Sequence, residues 1–476
     1  MSEKTVEGTT SNGVQLELMK DASKVPTYNG EDAIKASEMN SSNSEPVANM
    51  DTSGLVDEDA SNDPHKDVET SNIPMATFNI INSIIGSGLI GIPYAVLQSG
   101  IGLGAFLLVF VGVITDYSLS LLIEGGIIMK TRSYQGLAKE TFGNIGYGVV
   151  SATQFSQPFF SMVAYNVIIG DTITKLVKRA GGEAIKNSVL TNRHFIVFLA
   201  TLFVTLPLSL YKNIAALSKW GLASIVLISS LIVFIIIKLA LMGNSIPDVE
   251  GDWDFGKGSF VVAITIMSHA YICHHNAFLV YESLSERTLN TWNKVTHLSC
   301  LYSALCLILT GICGYSTFKG YTQGDLLENY CYKDDFANVF RVVFTVIVAL
   351  TYPIECFVTR EVIENVFFSK YKESTIRHAI LTIVLVGVAF AAATITDCLH
   401  IVLSINGSIS AVPLIFIFPA LFYMKVREEK LLHWKNILPL FLILLGIFLS
   451  IGGIFFSIQS ILSGDTCSHG EELWYC

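Results

Sequence analysis

Charge is what this 476-residue chain has least of: Asp, Glu, Lys and Arg together make up only 15% of it. A soluble domain carries nearer about a quarter, so an ordinary globular surface is excluded. No Gly-rich phosphate loop ending in Lys and a hydroxyl residue is present, nor a Rossmann glycine pattern in a polar context, nor a nucleophile with its base and orienter. ATP-driven transport and enzymatic chemistry are therefore not expected. There is no CxxC and no Cys/His spacing of the kind that holds a metal. The amino terminus lacks the basic, apolar and small-residue order of a cleaved signal peptide, so the first apolar run must direct insertion. The one N-x-[ST] sequon in a polar segment, Asn40-Ser41-Ser42, falls in the amino-terminal tail. Nothing suggests a nucleic-acid partner.

What is present is apolar surface in blocks. Hydrophobic residues make up 51% of the chain, and the mean hydropathy is +0.53. They cluster in runs of roughly 20, the length that crosses a hydrocarbon core. Eleven spans are expected, at 75–99, 101–123, 147–173, 193–212, 216–240, 257–281, 295–318, 336–358, 376–396, 399–422 and 436–461. The chain reads as an all-α polytopic membrane protein. It divides into an acidic tail (1–74), an eleven-span domain (75–461) and a short carboxyl-terminal tail (462–476). Up to Pro74 there are 15 acidic and 5 basic residues, so the net charge of −10 lies wholly in the first tail. That tail is polar and has scarcely an apolar run, which predicts a disordered, solvated segment or a docking site for a protein partner.

Lys and Arg in the short loops set the orientation. With the amino terminus in the cytoplasm, the inner loops hold fifteen basic residues and the outer segments ten, five of the ten lying between Lys175 and Arg193. Either the plasma membrane or an endolysosomal membrane fits. Cys273, Cys300, Cys306, Cys313, Cys356 and Cys398 fall in apolar spans and read as small hydrophobes. Cys331, Cys467 and Cys476 fall in polar segments on the expected outer side, where two of the three can pair; the pairing stays open.

Two spans carry defects. The first contains INSIIGSGLIGIP (81–93), three glycines and a proline inside an apolar run, where Gly costs about 1 and Pro about 3 kcal/mol relative to Ala. The sixth reads AITIMSHAYICHHNAFLVY (263–281), with three histidines and an asparagine that need partners or a water-filled cavity at that depth. Defects five spans apart point to a transporter of two inverted five-span repeats with an eleventh helix added, its first and sixth helices broken. An unwound backbone at Gly86-Ser87-Gly88 would offer N–H groups to a carboxylate and carbonyls to an ammonium, the two ends of a zwitterionic amino acid. The competing reading is tight helix packing, which Gly88 and Gly91 alone would satisfy.

The stretches FNIINSIIGSGLIGIPYAVLQSG (78–100), ICHHNAFLVY (272–281), ALTYPIECFVTREVI (349–363) and INGSISAVPLIFIFPALFYMK (405–425) carry a resemblance. They are similar to the sodium-coupled neutral amino acid transporters, solute carrier family 38, of the amino acid/auxin permease group. The resemblance implies a LeuT-like fold and secondary transport of neutral L-amino acids. It also implies coupling to sodium, in several members with proton movement, and no cofactor. Carried over by position, Ile85, Gly86, Ser87 and Gly88 match the substrate-holding unwound segment, and Asn82 matches an asparagine near the sodium site. His274 matches the histidine of a sixth-span motif whose following Pro and Glu are here His275 and Asn276. The family's eighth-span sodium-ligand threonine falls on Ala349; Thr351 is the candidate substitute, although two residues turn a helix by about 200°.

Other candidates come from the residues themselves. Asn82 serves a sodium site or bonds between helices. His274 and His275 can exchange a proton near neutral pH or form a structural pair. Glu355 reads as an interfacial ion pair with Arg360, or else as a proton relay. Asp116 and Asp171 read as helix-end or network groups. Tyr165 and Asn166 in span three are substrate-facing by fold analogy, and Asn406-Gly407 in span ten is a hinge or a thin packing point. The alternative function is an amino acid sensor that signals through the acidic tail.

Overall fold

The computed structural model describes residues 71–476 apart from 183–187, 212–220, 373, 397, 428–432, 464–466 and 468–472. The acidic tail up to residue 70, with Asn40, lies outside the described residues, as do the inner-loop cations Lys212, Lys219 and Lys430. Among the described residues nine helices are long and apolar enough to cross a membrane, and a bent pair forming span one makes ten. Span six is the eleventh segment, split into two short helices.

Span one starts at Ile73, two residues before the apolar run. The Asn72 side chain accepts a hydrogen bond from the Met75 N–H (3.0 Å), and Pro74 sits in the first turn, where its missing N–H removes nothing. Ser71 is held against the end of span six: its N–H donates to the Ser283 carbonyl (2.7 Å), and its carbonyl accepts from the Ser285 N–H (3.1 Å). The first helix ends at Ile84. The chain then passes Ile85-Gly86, makes a tight turn over Ser87–Gly91 and resumes as helix Ile92–Ser99, with a bend of 48°. Gly100, at φ +84°, turns directly into span two, Ile101–Met129.

Span three belongs to a long helical stretch, Tyr134–Gly181, broken at Gly143 (φ +64°), so a short amphipathic piece precedes the crossing itself. Span four is Arg193–Ala200 continued through a widened turn, Thr201–Thr205, to Leu210, and span five is Gly221–Met242. Span six runs Phe260–Tyr271, breaks at Ile272-Cys273, turns through His274–Asn276 and ends as Ala277–Ser283. Spans seven, eight and nine are Leu289–Phe318, Asp335–Phe367 and Thr375–Ile395. Span ten, Leu399–Arg427, is widened twice, over Gly407–Ala411 and Pro413–Ile417; span eleven is Trp434–Ser463.

Spans one and six pack on each other at the centre and are covered by spans two, seven, ten and eleven; span seven also packs on span five, and span eight packs on span three. Ile80, Ile90, Ile92, Ile266 and Met267 are fully buried there. Phe106, Val113, Leu301, Ile383, Ile451 and Phe455 point outward, as a lipid-facing surface requires. Gly407 lies against the Thr265 carbonyl of span six, too close for any Cβ, so this point in span ten is a backbone-to-backbone packing site.

Two cysteine expectations change. Cys331 pairs with Cys476, one of the pairings left open, whereas Cys467 pairs with Cys398. Cys398 is thus not a small hydrophobe of a span interior. It caps the first turn of span ten, at the same end of the molecule as the other three cysteines.

Candidate functional site

The two breaks meet. A Cβ at Gly88 would lie 2.8 Å from Ala270 Cα in span six, so Gly88 is the close-packing glycine of the pair. Gly86 differs: nothing lies within 4 Å of where its Cβ would be. The Asn276 side-chain amide donates to Ser83 Oγ (2.9 Å), tying the second break to the helix before the first. Among the described residues the N–H groups of Gly86, Ile272 and Cys273 have no backbone acceptor. Such unpaired main chain persists at membrane depth only beside a polar ligand or cavity.

Span three supplies the next layer. Tyr165 and Asn166 are both buried, and the Tyr165 side chain neighbours those of Ser87 and Glu355. Asn166 Nδ2 donates to the Tyr352 hydroxyl at 3.5 Å, and the Tyr165 and Tyr352 rings are 6.4 Å apart. Ser87, Tyr165 and Glu355 thus lie near one another, between the first break and span eight. The expected ion pair of Glu355 with Arg360 is absent. The Arg360 guanidinium turns to Thr382 Oγ1 (2.9 Å) and stacks on Phe357, because five residues along a helix place the two side chains on different faces.

His274 is fully buried with Nε2 2.7 Å from Ser118 Oγ of span two. The Nδ1 atoms of His274 and His275 have no hydrogen-bond partner among the described residues. The third histidine of the span, His269, meets the Asn406 side chain (3.1 Å), which also donates to the Gln157 carbonyl (3.1 Å). Asn82 is partly buried and its side chain makes no hydrogen bond among the described residues, while the Thr351 hydroxyl donates to the Ile347 carbonyl of its own helix (2.8 Å). The last two are not joined by a shared contact. Asp116 faces His297 (2.6 Å), and Asp171 pairs with Arg193, both as network groups.

Sequence reasoning passed over Ser118 and Tyr352. Each is a polar residue inside an apolar run, a signal available in advance. Which ones converge depends on helix rotation, which the sequence leaves free.

A model of the family described as "Transmembrane amino acid transporter protein" matches residues 69–462. The chain belongs to the transmembrane amino acid transporter family. Within it, the chain is 44% identical over 407 residues to the "Putative sodium-coupled neutral amino acid transporter 11" of Danio rerio, covering 86% of this chain and 90% of that one. It is 43% identical to the Homo sapiens protein of the same name, covering 80% and 92%. The "Vacuolar amino acid transporter 2" of Saccharomyces cerevisiae is 29% identical, covering 78% and 80%. The fold is similar to a crystal structure of a mutant manganese transporter from Eremococcus coleocola, with a TM-score of 0.51 over 83% of this chain and 88% of that one at 12% identity. That likeness concerns the fold alone, which is LeuT-like; family membership makes the chain a transporter of amino acids rather than an enzyme.

The two faces of this transporter differ. At the disulfide-bearing face, Lys175 donates to the Glu328 and Tyr330 carbonyls, and Arg341 donates to those of Leu327 and Tyr330, holding the 319–334 segment down beside the first break. At the opposite face a cavity of about 270 Å³ opens between Ile123–Arg132 and Phe278–Arg287, so the second half of span six forms part of its wall.

Proposed function

We propose that the chain is a secondary active transporter of small neutral amino acids that works by alternating access, with the substrate backbone held at Ile85, Gly86, Ser87 and Gly88. The open space at Gly86, beside unpaired N–H groups from both breaks, is the observation that carries this reading. The substrate carboxylate takes those N–H groups and the Tyr165 hydroxyl; the ammonium takes carbonyls freed at the end of helix Ile73–Ile84. Asn166 and His274 line the same region from spans three and six. Gly88 serves the site indirectly, by bringing the two breaks together.

The shut disulfide face and the cavity at the other fit a state open to one side, with the amino terminus cytoplasmic and the disulfides on the outer or lumenal side. The transport is cation-coupled: the relatives' name supports sodium, with Asn82 as an oxygen donor, and the partly buried Glu355 carboxylate supports a cation of its own. His274 and His275, each with an unpartnered ring nitrogen, are additional proton acceptors in this reading.

Purified protein in proteoliposomes loaded with unlabelled alanine or glutamine is expected to show saturable counterflow of the radiolabelled amino acid. Absence of counterflow from folded, reconstituted protein removes the proposal. Truncation of residues 1–70 should leave counterflow intact; a sensor acting through its tail would instead lose a binding partner without any flux to lose.

A further inference from the structure

We infer that Cys398, His400 and Cys467 form a redox-gated binding site for one zinc ion, closed while the two cysteines are joined and assembled when a thiol reductant parts them. The inference does not depend on the transport reading above.

The three side chains come from two distant parts of the chain. Cys398 immediately precedes the helix Leu399–Asn406 that opens span ten, and His400 sits in the first turn of that helix. Cys467 follows span eleven and is bonded to Cys398. His400 Nδ1 lies 3.9 Å from Cys467 Sγ, and the three ligand atoms all fall within 4.8 Å of one another. Among the described residues no other group of three His, Cys, Asp or Glu side chains is so placed, and the Cys331–Cys476 pair belongs to none. The imidazole is held in position. Its ring packs on that of Tyr94 in span one, with centroids 4.4 Å apart, and Gly324 of the 319–334 segment lies against it. A Cβ on Gly324 would come within 2.8 Å of Nδ1, so the glycine keeps that side of the ring clear. Cys398 and His400 are 2% and 7% exposed, whereas Cys467 is partly exposed and gives access from the disulfide face.

The donors select the ion. Two thiolates and an imidazole suit zinc and leave alkali and alkaline-earth ions to oxygen sites. Zinc lies about 2.3 Å from sulfur and about 2.0–2.1 Å from nitrogen, which sets neighbouring tetrahedral ligands roughly 3.5–3.8 Å apart. The contact between His400 and Cys467 is already close to that spacing. The thiolate is the ligand, however, so the bonded pair does not hold the ion. Two equivalents of a small thiol supply two electrons and two protons. The Cys398–Cys467 bond breaks, two cysteine thiols form, and the reductant leaves as its own disulfide. The freed sulfurs move apart to non-bonded contact. Zinc then displaces both thiol protons, and water fills the fourth position. In this way the ion takes over the link between span ten and the chain beyond span eleven. No metal motif shows in the sequence because the third ligand lies 67 residues from His400.

Full-length protein in detergent carries the test, reduced with a phosphine, which does not compete for the metal as a thiol would. Co²⁺ serves as the optical probe. The expected result is a thiolate-to-cobalt charge-transfer band that saturates at about one ion per reduced chain, disappears when Zn²⁺ is added, and is absent from oxidised protein. His400→Ala leaves the disulfide in place. After reduction it should bind Co²⁺ more than about tenfold more weakly, since losing even a group that only orients a ligand costs that much. Absence of the band from reduced protein, or an equal affinity in His400→Ala, overturns the inference. Should reduction alone unfold the protein, reduction in excess Zn²⁺ is compared with reduction in a chelator. A monodisperse peak kept only in Zn²⁺, and not by His400→Ala, supports the site. Loss of the peak under both conditions, or equal rescue of His400→Ala, overturns it.

Discussion

The disulfide face and the mid-membrane site bury polar groups in opposite ways. At the face, most charges are matched: Asp171 with Arg193, Lys238 with Asp334, and Lys175 and Arg341 with a row of carbonyls, Asp325 being the exception. Two disulfides fix the surrounding segments, Cys331–Cys476 and Cys398–Cys467. In the site, the Gly86 N–H, two histidine nitrogens and the Glu355 carboxylate lack such matching. Buried polar groups that are satisfied rigidify a structure, while those left open are retained at a cost in stability. The difference separates a part built to hold still from a part built to receive something.

Glycine substitutions test this contrast most sharply. Gly88→Val must push a side chain into the Ala270 backbone and should abolish folding, read as loss of a monodisperse peak in detergent. Gly86→Val meets open space, so the variant should fold but lose counterflow by more than about tenfold, which corresponds to about 1.4 kcal/mol of lost binding. Normal transport by a folded Gly86→Val protein would show that the space beside Gly86 is not where substrate sits.

The matched face predicts the reverse, stability without direct involvement in binding. Arg193→Met leaves Asp171 buried without its guanidinium and should destabilise the protein by about 3–5 kcal/mol, seen as a lowered melting temperature. Replacing both partners, Arg193→Met with Asp171→Leu, should recover most of that loss. If the double variant melts as low as the single one, the pair contributes through something besides its charges.

Tyr165→Phe lies between the two regimes. The ring packing against Tyr352 is kept, and only the hydroxyl, which neighbours Ser87 and Glu355, is removed. A hydrogen bond to a charged group is worth about 1.5–3 kcal/mol, so counterflow affinity should fall by roughly 10- to 150-fold with little change in melting temperature. An affinity within twofold of wild type would place the substrate carboxylate elsewhere.

These tests also mark what could be read in advance. The eleven apolar segments and both breaks were legible, because run length, glycine and misplaced histidine are one-dimensional signals. The Glu355 environment was not. From the sequence, Arg360 looked like its partner, but rotation of span eight against spans three and nine turns Arg360 to Thr382 and Glu355 to Tyr165. Cys398 misled for a related reason. It ends one apolar run and begins the next, and only the folded chain shows that this junction lies beside Cys467. Tyr165 and Asn166 were placed by analogy; the structure buries both inside span three.

The remaining expected effect is one of pH, and it falls on the disulfide face. Asp325, in the 319–334 segment between spans seven and eight, is 2% exposed. Burial pushes its carboxyl up to about 7; nearby Glu328 adds to the rise, while the Leu327 N–H, Arg341 and Lys175 pull the other way. In an unfolded chain the group titrates near 3.9. Between those values the folded protein holds more protons than the unfolded one, so stability must fall as the pH rises from about 4 to about 7. The melting temperature of purified protein should therefore be higher at pH 5 than at pH 8, against the usual direction for a paired carboxylate. Asp325→Asn, neutral throughout, should flatten that slope while leaving the Arg193 effect intact. A slope unchanged in Asp325→Asn would mean the cations of this face already hold Asp325 ionised, making the two regions still more unlike than their contacts suggest.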